Sequence, residues 1–242
     1  MRKRKFLAGA MLGVIGALGV SGTAFAGAPT GQTLQATVSP KKQDKKTFGG
    51  ASLHAIIATQ YSDFSASPSA KEVLFRIDKQ IKFVNGNVPA CPASSLNAAT
   101  TSAAVQAACG SSVVGQGTDQ VNNGTGLFPG TNPVLLVSGG PTTLYVWTRI
   151  GGSLTLVLNG QYSSSAGTLD VSGLPNTPGT DLTNFDITFN KKKTGKKSFY
   201  VMARCKSKKS KWVNSETTTF YNGQSTAATA TQKCKKKKKK KK

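Results

Sequence analysis

The feature that most constrains this chain is the rhythm of its turn signals. Asn85-Gly86, Asn123-Gly124, Pro129-Gly130, Gly139-Gly140-Pro141, Gly151-Gly152, Asn159-Gly160, Pro178-Gly179, Thr194-Gly195 and Asn222-Gly223 recur at short intervals. Such pairs supply the backbone conformations that reverse a chain. Many of the stretches between them carry β-branched and aromatic residues in period two. Val73, Phe75 and Ile77 alternate with Glu72, Arg76 and Asp78, and Phe185, Ile187 and Phe189 alternate with Asn184, Asp186 and Asn190. Phe199, Val201, Ala203 and Cys205 share one face, with Tyr200, Met202 and Arg204 on the other. Alternation of this kind sets one face of a sheet against a core and the other against water. The expected fold is all-β: a single-domain antiparallel β-sandwich over residues 48–234 with one short helical insertion.

The insertion is legible because its composition changes. Pro92 to Gly110 is alanine-rich, and Ser102 to Ala108 suits a short helix capped by Thr100 or Thr101. A two-residue hairpin loop at Gly151-Gly152 would set Trp147 opposite Leu156, Tyr145 opposite Leu158 and Arg149 opposite Leu154, making that the core face. Tyr145 and Trp147 are then packing residues, not a sugar-stacking platform. Trp212, beside Lys209 and Lys211, is the better candidate for an exposed aromatic in a basic patch.

The ends predict compartment. Arg2, Lys3, Arg4 and Lys5 precede an apolar run from Phe6 to Val20, and Ala24-Phe25-Ala26 offers the small residues a signal peptidase needs. That run is too short to favour a retained membrane helix, so residues 1–26 read as a signal peptide cleaved near Ala26. Lys3-Arg4-Lys5-Phe6-Leu7 holds only one of the two arginines of a twin-arginine signal, and the choice between Sec and Tat export stays open. The expected product is secreted or cell-wall associated, with no transmembrane anchor.

The formal net charge of +23 is segmental. Between Phe48 and Asn190 five basic residues (Lys71, Arg76, Lys79, Lys82, Arg149) face seven acidic ones. The excess lies in an N-terminal segment (27–47, with Lys41, Lys42, Lys45 and Lys46), in a run from Lys191 to Lys211, and in a tail from Lys233. Eight consecutive lysines, 235–242, repel one another and bury nothing, so the tail reads as a disordered, solvated segment.

Four cysteines in an exported chain imply disulfides, and four allow three pairings. Cys91–Cys109, bracketing the helical insertion, and Cys205–Cys234, tying the last strand, are favoured. The second carries a geometric difficulty. If Asn222-Gly223 makes a two-residue hairpin, Cys234 falls opposite Lys211, and Cys205 flanks that strand from the other side. Alternate strands stand about 9–10 Å apart, beyond the roughly 7 Å reach of a bridge, so the sheet end has to twist or fray.

Two blocks resemble a family of exported actinobacterial proteins. The first is Val88-Pro89-Ala90-Cys91-Pro92, the alanine-rich helix and Ala108-Cys109-Gly110-Ser111-Ser112-Val113-Val114-Gly115-Gln116-Gly117. The second is Ser198 to Cys205 (Ser-Phe-Tyr-Val-Met-Ala-Arg-Cys), Thr219 to Gly223 and the closing Cys234 before a lysine-rich tail. The resemblance implies export and two cysteine pairs, and it carries over no catalytic residue.

Chemistry is sparse. His54 is the single histidine, no Gly-x-Ser-x-Gly elbow accompanies it, and a hydrolase built on it is a remote alternative. Asp181, Asn184 and Asp186 match no calcium loop, and one histidine with widely spaced thiols builds no zinc site. The expectation is a non-enzymatic protein with no cofactor and no metal. The lysines attract anions without arginine's bidentate geometry. Lys191, Lys192, Lys193, Lys196, Lys197, Lys206, Lys208, Lys209, Lys211, Lys233 and Lys235 are therefore the candidate contacts for anionic cell-envelope polymers. No signature of specific nucleic-acid recognition appears. The alternative is a carbohydrate- or protein-binding module using Val121–Asn132 and Leu174–Thr180, two loops at one end of the fold.

Overall fold

The computed structural model describes residues 29–63, 67–122, 131–163, 167–176, 181–196, 198–207 and 209–236. Residues 1–28, which include the expected signal peptide, the lysines beyond Lys236, Lys197, Lys208 and most of the two candidate binding loops lie outside the described residues.

In chain order the strands are β1 (Pro29–Ser39), β2 (Lys42–Gln43), β3 (Gly49–Gly50), β4 (Ser52–Tyr61), β5 (Ala70–Arg76) and β6 (Ile81–Phe83). A 3₁₀ turn (Asn85–Asn87) and helices α1 (Ala93–Ala98) and α2 (Ser102–Cys109) follow. Then come β7 (Val113–Asn122), β8 (Asn132–Ser138), β9 (Thr143–Ile150), β10 (Leu154–Ser163), β11 (Thr168–Ser172) and β12 (Asp181–Phe189). The chain closes with β13 (Val201–Ala203), β14 (Lys211–Phe220), β15 (Ser225–Lys233) and β16 (Lys235–Lys236).

Eleven of these form one sheet in the order β1-β4-β12-β7-β8-β9-β10-β11-β5-β14-β15, every hydrogen-bonded neighbour antiparallel. The expected sandwich is thus corrected to a nearly closed barrel. Strand twist accumulates round the sheet until β1 and β15 lie side by side. The core is the barrel interior, where Leu53, Leu136, Leu144, Val146, Leu169 and Ile187 from different sides of the wall are buried together. β1 falls within the segment set apart by its charge, and it supplies one edge of this sheet.

The closing joint follows from parity. With eleven strands and antiparallel neighbours throughout, the first and last strands point the same way, so β1 and β15 meet parallel. The cross-joint bonds agree: Gln32 meets Thr226 and Val38 meets Gln232, at one constant offset in sequence. Side chains do the joining. The Gln232 amide accepts from Val38 N at 2.6 Å and donates to Val38 O at 3.3 Å, standing in for a backbone peptide. The Gln32 amide accepts from Thr226 Oγ1 and donates to Glu216, whose carboxylate also accepts from Thr218 Oγ1. Glu216 is fully buried, and burial raises its pKa against the lowering effect of those two bonds.

One end of the barrel is plugged. The small sheet β3-β13-β6 lies there, with Ala51 N bonding to Val201 O and Val84 N to Tyr200 O. Phe83 packs edge-on against Tyr162, Phe189 and Tyr200 with ring centroids 5.4, 4.8 and 5.4 Å away. β13 is covered on both faces, so Val201, Met202 and Ala203 are all buried and the expected in–out alternation of that stretch is lost.

A second, smaller core lies outside the wall. Helices α1 and α2 lie beside β10 and β8, burying Leu96 and Val105 with Leu135, Val137 and Trp147. The Thr101 hydroxyl accepts from Ala104 N at 3.1 Å, capping α2 as expected, and Cys91–Cys109 clamps the pair. The hairpin at Gly151-Gly152 differs from expectation: Ile150 pairs with Leu154, so Leu156 faces Thr148 and Leu158 faces Val146. A one-residue slip exchanges faces. Trp147 is fully buried, but beneath the helices and not in the main core.

Candidate anion-binding end

Alternation of strand direction decides which segments share an end. Among the described residues, those of 40–51, 77–112, 190–210 and 234–236 leave the strands at the plugged end. Every basic cluster of the sequence that is described is therefore delivered there. Lys71 and Arg149 lie toward the opposite end, near the starts and ends of β5 and β9.

Three of these segments are tied together. Cys205 and Cys234 are bridged with Cα atoms 5.9 Å apart. The expected geometric obstacle is removed because β13 leaves the main sheet for the plug, so the chain returns to Cys234 as a loop and not as a flanking strand. Cys205 N donates to Asp44 O at 2.8 Å, Cys234 N to Ser210 O at 3.2 Å and Lys235 N to Lys41 O at 2.8 Å. β16 runs parallel to β2, pairing Lys235 with Lys42 and Lys236 with Gln43. The tail thus begins as an ordered strand at Lys235–Lys236.

Around this junction lies an open concavity of about 640 Å³ lined by Lys41, Lys233, Lys235 and Lys236 with Thr231 and Gln232. Two pairs of lysines oppose each other directly, Lys211 with Lys233 and Lys42 with Lys235. Like charges so placed destabilise a sheet. No lysine or arginine pairs with a carboxylate among the described residues, where the one ion pair is His54 with Asp186. The two acids of this end are bonded to backbone: Asp44 accepts from Lys46 N and Thr47 N, and Asp78 from Gln80 N and Val213 N. Basic side chains therefore outnumber acids at this end.

The candidate lysines divide. Lys211, Lys233 and Lys235 join the concavity or its rim, and Lys206 and Lys209 are exposed on the loop just before β14. Lys191 lies over the Phe199 ring at 5.1 Å, and Lys193 bridges to Phe199 through backbone, on a separate hairpin with exposed Lys196. Lys192 is committed elsewhere. Its ammonium donates to Ser111 O at 2.5 Å, Val113 O at 2.8 Å and Gly110 O at 3.4 Å, and desolvation lowers its pKa. It neutralises carbonyls beyond the C-terminus of α2. Lys41, Lys42 and Lys236 contribute as well, beyond the candidate contacts expected from the sequence. Their signal was present in the N-terminal lysine cluster, but only the fold puts it beside the tail.

Trp212 is corrected from an exposed aromatic to a fully buried one, its indole N–H donating to Arg204 O at 2.9 Å. A further aromatic contact to basic side chains is made by half-buried Phe48, with Lys82 at 4.7 Å and Arg204 at 4.6 Å from its ring. His54 stands on the outer wall with Nε2 2.7 Å from Asp186 Oδ1, and its neighbours across the sheet are Thr37 and Thr188. Among the described residues no group of three His, Cys, Asp or Glu side chains is placed to hold a metal, and no helix is long and apolar enough to cross a membrane. No family model matches the chain, and no curated protein or solved structure matches it either.

Proposed function

We propose that this protein is a non-catalytic, exported binder of anionic cell-envelope polymers, held to them by the lysines of its plugged end. The observation that carries the reading is the concentration of positive charge: two directly opposed lysine pairs beside a lysine-lined concavity, with no lysine–carboxylate ion pair among the described residues. A repeating phosphate or carboxylate chain laid along that concavity would relieve the repulsion and release its own counterions. Lysine suits such contact because it acts as a point charge and sets no demanding geometry. The Cys205–Cys234 bridge fixes the start of the tail beside the loop that ends at Lys211, so the tail extends the same contact.

The test is retention on isolated cell walls across a salt series, for the mature chain, for a chain ending at Cys234, and for a Lys41→Gln, Lys211→Gln, Lys233→Gln variant. Retention is expected to fall steeply with salt, in the manner of counterion release, and to fall further with each truncation or substitution. Retention indifferent to both salt and lysine removal overturns the reading.

A further inference from the structure

The joint between β1 and β15 does not stop where those strands stop. β2 follows β1 after Ser39-Pro40, β16 follows β15 after Cys234, and the two pair in parallel, the same sense in which β1 meets β15. This short ribbon is the joint continued past the plugged end. Two residues on each side make a ladder too short to be stable by itself. The lysine-lined concavity straddles it. Lys41 comes from the β1 side, whereas Thr231, Gln232, Lys233, Lys235 and Lys236 come from the β15 side. Gln232 belongs to both features, since it lines the concavity while its amide is occupied by Val38 N and O. The four lysines are exposed, which leaves them to meet an anion.

Charge across the joint works against its closure. Lys42 stands directly opposite Lys235, with Lys41 and Lys236 as their neighbours in the chain, and directly opposed like charges weaken a sheet. None of these lysines forms an ion pair with a carboxylate among the described residues. The Cys205–Cys234 bridge, with the bond from Cys205 N to Asp44 O, holds the end of β15 close to β2. The ribbon can therefore part and reclose locally while the chain stays tethered.

We propose that a bound polyanion is the clasp of the barrel: it bridges Lys41 on one edge to Lys233, Lys235 and Lys236 on the other, and so holds the joint closed. This rests on the polymer-binding reading and adds the regulation of that site. An anion that needs lysines from both edges binds the closed joint more tightly than the open one, and linkage makes the effect reciprocal. The barrel is most firmly sealed when the protein sits on its polymer.

The experiment uses the mature protein, sodium tripolyphosphate as probe, and sodium chloride at matched ionic strength as control. Calorimetry measures binding, and nuclear magnetic resonance follows the exchange of single backbone amides. At about a hundred times its Kd, tripolyphosphate is expected to slow exchange at Val38 and Lys235 at least about tenfold beyond chloride, and amides of β8 and β9 by less than about twofold. A Lys41→Gln, Lys235→Gln variant is expected to exchange more slowly than wild type at Val38 without ligand, because the repulsion is gone, and to gain little more with it. Losing an ordinary stabilising ligand site would not slow exchange in the ligand-free protein. Lys71→Gln, at the opposite end of the barrel, is expected to behave as wild type. Tripolyphosphate that binds but leaves Val38 and Lys235 unchanged, or slows β8 and β9 equally, overturns the clasp and leaves the polymer-binding reading standing. A ligand-free double variant no slower than wild type at Val38 overturns the clasp as well. Absence of salt-sensitive binding by tripolyphosphate, together with wall retention indifferent to the lysines, overturns both.

Discussion

Among the lysines, residue type and role part company. Lys192 sits in the middle of a basic run, yet its ammonium is spent on three carbonyls. Lys192→Met is expected to lower stability by roughly 1–3 kcal/mol, the usual worth of hydrogen bonds to a charged group, while wall retention changes little. Lys233→Gln is expected to do the reverse, and chemical denaturation beside the retention assay separates the two. Asp181 offers a second test. Burial raises its carboxyl to about 7, above the unfolded value near 3.9. The folded state then holds a proton that the unfolded state releases, so this contribution is fully present below about pH 4 and is lost as pH rises through about 7. Asp181→Asn is expected to flatten that fall and to melt above the wild type near pH 8, in thermal scans across pH. Asp119 and Glu216 shift in the same direction through burial, so some slope remains in the variant. Parallel curves for the two proteins would contradict the assignment. Neither role was legible in the sequence, because the partners of Lys192 lie about eighty positions away and the burial of Asp181 comes from other strands.

Elements were read well where the signal was local. The helical insertion and its Thr101 cap stand as expected, since both depend on adjacent residues. Hairpin registers were not, because a glycine pair announces a turn without fixing how many residues it spans. At Asn222-Gly223 the ladder pairs Lys211 with Lys233, one position from expectation. Close strand approach was equally hidden: a Cβ on Gly117 would strike Asp186 O, and one on Gly115 would strike Thr188 O. Gly117→Ala is therefore expected to push β7 from β12 and destabilise the barrel by more than the approximately 1 kcal/mol typical of a substitution. The outer helices should behave as a separable layer. Replacing Cys91 and Cys109 by alanine is expected to cost about 3 kcal/mol by loop entropy and to speed amide exchange in α1 and α2 before it does so in the barrel strands. Uniform acceleration would show that the layer is not separable.

At the scale of the whole molecule, the all-β character and the segmental charge were plain in the chain, whereas barrel closure was not. Period-two alternation is the same for a sandwich and a barrel, and the pairs that distinguish them, Gln32 with Thr226 and Val38 with Gln232, lie 194 positions apart. The charge polarity is likewise topological, arising from which ends of the strands the basic segments leave. Opening the Cys205–Cys234 bridge by double serine substitution is expected to free β16 from β2 and to lower wall retention at moderate salt, with β1–β15 bonding kept. The joint between β1 and β15 has a further consequence. Among the described residues it is the one joint of the barrel fastened by amide side chains and not by a backbone ladder, and it unites the barrel's first strand with its last. β1 can fold early onto β4, but the wall stays unsealed until the final hairpin of the chain has emerged. A truncated or stalled chain therefore carries a slit along its side, and an intact one acquires its enclosed interior only as its last act of folding.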